Sequence, residues 1–522
     1  MREFDVIIAG GGHNGLACGA VLAKEGLSVC VAERGKWLGG GVVTREVTLP
    51  GFKHDLYGSS HVWIHANADF VKLLPELEEM GLKYIWANDH ITGHPDKNGP
   101  GIIVYKDVNK TVKDISYYSE KDAQRYKEIF DGFVDVKDGF IKNFFSPPYP
   151  PSFLPSVMEN SEEGLDMLRN YNLSPLDFTL ENFENEFIRT QILGWATAPG
   201  NNPIQEGKGD MFYIMIPAIH VFGESIPEGG TMQLPVAMAK LIEHYGGTVM
   251  TEAPVQQFIV EDNEAKGIIL EDGEKIFAKK AVVTNIDPKH TYLDMFEDGV
   301  LDDKFIQKVE NYQTGEFTIV RAHYALNEAP KYINNPEMNK TPFQRIFGSV
   351  EDIVKQYAEI AMGIAPTNPF LWVACWTLVD PTRAPEGKHT LIMDTFVPMN
   401  LASGEDWEDI AEDYIKNVEL PKLQEYTTNM TEDNILAASI ATGPSIEREN
   451  PCFVDGGTTG GPMRMSQSGY FRPFPGYSQY RGPVKNFYMT GPYTHPGGAI
   501  SAAGTITANV VLQDLGIREA EF

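Results

Sequence analysis

Cysteine is scarce in this chain, with 4 among 522 residues. None of the four (Cys18, Cys30, Cys375, Cys452) stands in a CxxC or CxxxxC pair. No disulfide framework or redox-active cysteine pair is therefore implied, and disulfide-reductase chemistry is not expected. Positive charge is also short: 43 Lys and Arg face 72 Asp and Glu, a net charge of −29. Nucleic acid demands a basic face, and so does broad attachment to anionic lipid, so neither partner is expected. No uninterrupted apolar run reaches the ~20 residues of a membrane span. The first apolar strand begins at Phe4, which leaves no room for a signal peptide. The expectation is a cytoplasmic protein with reduced thiols, with peripheral membrane contact left open. There is no G-x-S-x-G elbow, so serine-hydrolase chemistry is not expected. His61/His65 and His90/His94 have i,i+4 spacing but lack the glutamate of HExxH, so no metal site is expected.

What the chain does have begins at its front. An apolar run, Val6–Ala9, ends in glycines, an amphipathic stretch follows, and a second apolar run, Val29–Ala32, ends in Glu33. Gly10-x-Gly12-x-x-Gly15 falls where the strand should meet the helix, with His13 and Asn14 inside the loop. The first glycine permits the tight turn, the second lets backbone approach a pyrophosphate, and the third lets helix pack on strand. N–H groups at the helix start then face the phosphates. Glu33 lies at the distance of a carboxylate that binds a ribose hydroxyl. The four features together predict a dinucleotide site and a Rossmann-type α/β domain.

Beyond Glu33 come Arg34, Gly39-Gly40-Gly41 and Thr44. Near the other end, an apolar strand (Phe487–Met489) stops at Thr490-Gly491. Thr494-His495-Pro496-Gly497-Gly498 then precedes a small-residue helix expected from about Ile500 to Leu512. With these motifs the chain resembles the flavin family of phytoene desaturases, retinol saturases and amine oxidases. Within that family it looks most like the phytoene-dehydrogenase-like subgroup that includes the pyridine nucleotide-disulfide oxidoreductase domain proteins. The resemblance implies non-covalent FAD. The Gly39-Gly40 pair would pass under its flavin side, and backbone near Val255 would meet the adenine. The turn from Gly491 to Ile500 would close on the flavin, with the following helix directing its positive end at the ring.

A third match lies mid-chain. Pro227-Glu-Gly229-Gly230 precedes a predicted helix with Met238, Leu241, Ile242 and Tyr245 on one face, and Gly246-Gly247 ends it. A β-meander follows and returns to the sheet at Ala281–Asn285. Asp380-Pro-Thr-Arg383-Ala-Pro-Glu-Gly-Lys-His389 and Arg472-Pro-Phe-Pro-Gly-Tyr477 also look like that subgroup's loops. Because the motifs are dispersed, the domains must interleave. The expected FAD domain is 1–65, 216–290 and 446–522; an α+β substrate domain takes 66–215 and 291–445. Helices are expected over Ala123–Phe140 and Trp407–Tyr426. The Pro-rich stretch 144–153 reads as a stiff connector or as an aromatic rim.

The family's chemistry implies desaturation or saturation of C–C bonds in a largely apolar substrate, a polyene, terpenoid or alicyclic ketone, by hydride transfer at flavin N5. A redox-neutral double-bond isomerase and a fold-related binding protein without turnover are the alternatives. His495 and Tyr57 are the candidate catalytic side chains, against a bracing role for the first and packing for the second. One glycine fingerprint is present, so electrons should leave to a diffusible acceptor: O2, a quinone or an electron-transfer protein. Oligomeric state is left open.

Overall fold

The first strand of the computed structural model, Arg2–Ala9, runs two residues further toward the N-terminus than its apolar core predicts. The structure describes residues 2–87, 89–198, 200–209 and 211–519, without the side chains of 211–214. Two seven-stranded sheets organise the chain. The first is Rossmann-like. Arg2–Ala9 pairs in parallel with Val29–Ala32 on one side and with Lys275–Thr284 on the other. Thr248–Met250 extends one edge, and the antiparallel meander Val255–Glu261, Glu264–Leu270, Lys275–Thr284 extends the other. Phe487–Met489 pairs in parallel with Lys275–Thr284. The strand from the far end of the chain thus lies two strands from the first.

These strands are buried on both faces, which is why they read as continuous apolar runs. One face packs on the helices His13–Lys24, Gln233–His244 and Ala502–Asp514. Phe70, Leu73 and Leu77 join that core. The opposite face packs on Tyr292, Phe296, Phe305, Val309 and Phe474. Core packing therefore runs across the expected boundaries at 65/66 and 290/291.

The second sheet has the order Ile435–Ala441, Thr318–Leu326, His389–Val397, Leu371–Ala374, Phe343–Ile346, His90–His94, Ile102–Tyr105. One face carries Val320, Ala322, Leu371, Val373, Leu391 and Met393 against the helical segment that starts at Trp407. The alternate residues of the same strands face the other way, toward the first sheet's loops.

Three local expectations shift. The helix expected over Ala123–Phe140 spans Glu120–Phe144, started by Ser119, whose hydroxyl accepts the Asp122 N–H. The helix expected over Trp407–Tyr426 is interrupted by a π-turn at Ile415–Glu419 and ends at Gln424. Tyr245 does not join the buried face of its helix: it is exposed at the C-terminus and donates its hydroxyl to Glu76. Among the described residues no helix is long and apolar enough to cross a membrane.

Candidate active site

The glycine fingerprint folds as a strand, tight turn and helix because each glycine has either a backbone angle or a close neighbour that a side chain would not suit. Gly10 has φ +98°, a left-handed conformation that favours glycine. A Cβ on Gly12 would lie 2.6 Å from Asn285 Nδ2, and one on Gly15 would overlap the Gly10 carbonyl oxygen. Gly12 caps the first helix with no side-chain hydrogen bond, and while the His13 N–H is taken by Gly39 O, the N–H groups of Asn14 and Gly15 are left to an anion.

Glu33 closes this loop. Its carboxylate accepts N–H bonds from Gly11 and Gly35, each 2.7 Å. Partial burial raises its pKa against those two bonds. Arg34 beside it is exposed. The second glycine segment is stitched to the first: Gly39 N–H donates to Gly11 O (2.9 Å) and His13 N–H to Gly39 O (3.2 Å). Gly58 N–H then donates to Gly41 O at 3.0 Å. A Cβ on Gly40 would come within 3.2 Å of Gly12 Cα.

The C-terminal motif arrives at the same place. Ser501 N–H donates to His13 Nδ1 (2.9 Å), and Gly504 N–H donates to the Asn14 side-chain carbonyl (3.1 Å). A Cβ on Gly504 would overlap the Asn14 backbone carbonyl, so the first and last helices approach to backbone contact. Burial lowers the His13 pKa to about 4, so its ring is neutral and Nδ1 can accept. His13 is thus a strut between the two ends of the chain. The last helix begins at Ala502, two residues after the sequence expectation, because Ser501 is left-handed (φ 60°).

Gly491 and Gly497 have φ +116° and +101°. Gly498 has open space beside it: a Cβ there meets nothing within 4 Å. Ile500 lies against Gly58, 3.6 Å from where a Cβ on that glycine would stand. Asn285 Oδ1 and Thr490 Oγ1 are buried with no partner. Both residues end strands at the glycine cradle. Unmet polar atoms in a cradle that glycines keep open fit a bound dinucleotide. The turn is held from behind by Arg472, fully buried, whose guanidinium donates to the carbonyls of Pro492 and Gly460 (2.6 Å each).

The remaining expected residues divide. Val255 starts its strand beside Ala253, whose N–H donates to Glu33 O at 2.8 Å. Thr44 is buried and its hydroxyl is already spent, donating to Asp55 (2.6 Å) and accepting the Met232 N–H (3.1 Å). Tyr57 packs edge-on against Phe453 at 5.0 Å, and burial raises its phenol pKa to about 12. His495 is half-buried, with Nε2 enclosed and unpartnered and its pKa lowered to about 4 by desolvation. Its ring meets Phe144, which stacks on Trp63 at 4.9 Å. The Pro-rich stretch therefore starts from an aromatic cluster beside the C-terminal turn.

Sequence reasoning named two loops without their role. Asp380 and Arg383 form a buried ion-pair network with Asp55: Arg383 bonds Asp55 at 2.5 Å and Asp380 at 3.0 Å. Asp380 also accepts the Gly229 N–H (2.7 Å), and Asp55 accepts the Thr231 N–H (3.0 Å). The network fixes the segment leading to Tyr57 against the Pro227–Gly230 turn. The histidine pairs are spent on hydrogen bonds: His61 with Tyr84 and Thr231, His65 with Ser225, and His94 with the Trp195 indole N–H.

A family model for an NAD(P)-binding Rossmann-like domain matches residues 8–77. A limonene dehydrogenase subunit of Castellaniella defragrans is 27% identical, over 99% of this chain and 96% of its own length. Pyridine nucleotide-disulfide oxidoreductase domain-containing protein 2 of Mus musculus is 26% identical over 98% and 94%. The lycopene-forming phytoene desaturase of a Paracoccus species is 23% identical over 98% and 97%. Among solved structures, putrescine oxidase bound to putrescine superimposes with TM-score 0.60 at 16% identity, covering 99% of each chain. An oxidoreductase from Methanosarcina mazei does so with TM-score 0.60 at 18% identity, covering 99% of this chain and 100% of its own. These matches run nearly end to end, and the relatives they reach are named as dehydrogenases and desaturases.

Proposed function

We propose that this protein binds FAD non-covalently and uses it to desaturate or saturate a C–C bond in a largely apolar substrate. The observation that carries the reading is the closure of the glycine cradle by motifs from both ends of the chain, through His13–Ser501 and Asn14–Gly504. When bound, FAD supplies a two-electron hydride acceptor or donor at ring N5. Gly10, Gly12, Gly15 and the free N–H groups of the first helix would hold its phosphates. Glu33 would take the adenosine ribose, Val255 would border the adenine, and Gly39–Gly41 with Gly497–Gly498 would flank the ring. Arg34 stands at the solvent edge of that path. The aromatic cluster of Trp63, Phe140 and Phe144 would border the substrate side and keep water from it.

His495 and Tyr57 are the candidate acid–base side chains along this path. Neutral His495 can accept a proton at Nε2, and Tyr57 remains protonated at neutral pH and can only donate. The single fingerprint leaves no place for a second resident dinucleotide, so the electrons pass to O2, a quinone or an electron-transfer protein. The test is direct. Purified protein should be yellow, and acid precipitation should release FAD rather than FMN. NADH or NADPH should bleach the flavin far more slowly than a turnover of ~0.1 s. A colourless protein that takes up no added FAD overturns the reading. Turnover under anaerobic conditions without any acceptor would replace it with double-bond isomerisation.

A further inference from the structure

The face of the second sheet that looks toward the first sheet's loops carries a row set by strand register: Arg345, Trp372, Asp394 and Arg321 stand opposite one another on four successive strands. Arg321 is fully engaged. It bonds Asp394 and donates to the carbonyls of Leu56 (2.6 Å) and Tyr57 (3.1 Å). This row is therefore fastened to the segment that continues into Gly58, against Gly41 and Ile500.

Arg345, at the other end of the row, is treated differently. It is 6% exposed, and its guanidinium carbon stands 3.5 Å from the centre of the Trp195 ring and 5.1 Å from those of Phe343 and Trp372. Its Nε and Nη1 are buried with no hydrogen-bond partner, and so is the Trp372 indole nitrogen. Asp394 is committed to Arg321. Glu224, also buried, takes its hydrogen bond from Ser60 and attracts Arg345 without accepting a bond from its Nε or Nη1. Burial holds the Glu224 carboxyl up at about 7 and brings the Arg345 guanidinium down to about 9. Aromatic faces attract a guanidinium but accept none of its N–H bonds strongly. A buried cation with open donors is costly to keep unless something fills them.

We propose that Arg345, between Trp195 and Trp372, is the polar end of the substrate site and receives an acceptor oxygen, carbonyl or carboxylate, of an otherwise apolar substrate. The proposal rests on the oxidoreductase reading and narrows it: pure hydrocarbons are disfavoured, and cyclic ketones or carboxylates with a flat apolar body are favoured. Arg345 fixes which end of the substrate enters first, and the indoles hold the remainder by stacking.

Tryptophan fluorescence of the holoprotein reports binding without relying on turnover, because two indoles line the site. Three probes of similar shape separate the cases: cyclohexanone, cyclohexanecarboxylate and methylcyclohexane. Saturable quenching by at least one oxygenated probe, and at least tenfold weaker binding of methylcyclohexane, is expected. The oxygenated probe that binds identifies which acceptor the site takes. Arg345→Met should weaken that probe at least tenfold while leaving methylcyclohexane unchanged, and Arg345→Lys should restore part of the loss. Should Arg345→Met fail to fold, Trp372→Phe, which keeps an aromatic ring but removes the indole N–H, should still weaken the oxygenated probe. Equal binding of the hydrocarbon, no binding of either oxygenated probe, or indifference to these substitutions overturns the proposal. Flavin content in the same samples keeps the two readings apart. A colourless protein that still binds through Arg345 sinks only the cofactor assignment, and a yellow one indifferent to Arg345 sinks only this site.

Discussion

Two glycines only six residues apart should respond to substitution in opposite ways. Gly504 stands against the Asn14 backbone: a Cβ there overlaps the Asn14 carbonyl oxygen and lies 2.9 Å from Ala17 Cβ. Backbone cannot swing aside, so Gly504→Ala must separate the first and last helices. Overpacking of this kind costs about 1–3 kcal/mol, and the change should appear in the melting of protein stripped of cofactor. Gly498 is the reverse. Its φ is not in the left-handed region, and a Cβ meets nothing within 4 Å. Gly498→Val should leave the stripped protein's stability within about 1 kcal/mol of the parent. If the open space beside it receives the flavin ring, the same ~1–3 kcal/mol of overlap falls on cofactor binding, a loss of about 5- to 140-fold in FAD affinity. Thermal melts of stripped protein and FAD titration by visible absorbance read the two effects separately. A Gly498→Val protein that keeps parental FAD affinity would refute the placement of the C-terminal turn at the ring. A Gly504→Ala protein of unchanged stability would refute the backbone contact between the two ends.

Glu33→Ala should weaken FAD by tenfold or more in equilibrium dialysis, since charge-assisted bonds contribute about 1.5–3 kcal/mol each; the loss of the Gly11 and Gly35 contacts should be felt as a looser loop. Arg383→Met should destabilise the protein by about 3–5 kcal/mol in urea melts, because it strands the buried Asp55 and Asp380 carboxylates without their cation; unchanged stability would show that the network is dispensable. Acid should unfold the protein from pH near 6 downward. His13, His54, His220 and His495 have pKa values lowered to about 4 by burial, against an ordinary 6.5. The unfolded chain binds their protons first as pH falls, so their stabilisation is complete above pH 6.5 and is lost between there and about 4. Each histidine accounts for on the order of 2 kcal/mol by pH 5. A flat stability profile from pH 7 to 5 would contradict their burial.

By itself the sequence determined whatever depends on neighbours a few residues away. The strand–glycine–helix–strand–Glu33 run, the Gly246 cap and the strand Phe487–Met489 are local patterns, and the fold reproduces them almost to the residue. The location of the cradle was legible for the same reason, since a glycine that must be left-handed or close-packed has no substitute. What the tertiary structure decided is where buried polar groups find partners, because those partners lie hundreds of residues away and no periodicity encodes them. His13, inside the glycine loop, braces Ser501, 488 positions on. Thr44, which follows the second glycine segment, has its hydroxyl occupied by Asp55 and Met232. Asp380 and Arg383 read as a family loop, and Arg383 is the shared counter-charge of Asp380 and of Asp55, 328 positions before it. Arg345 gave no signal in the chain at all. Its importance comes from strand register, which sets it beside Trp372, and from packing, which lays it over Trp195 and leaves its donors open.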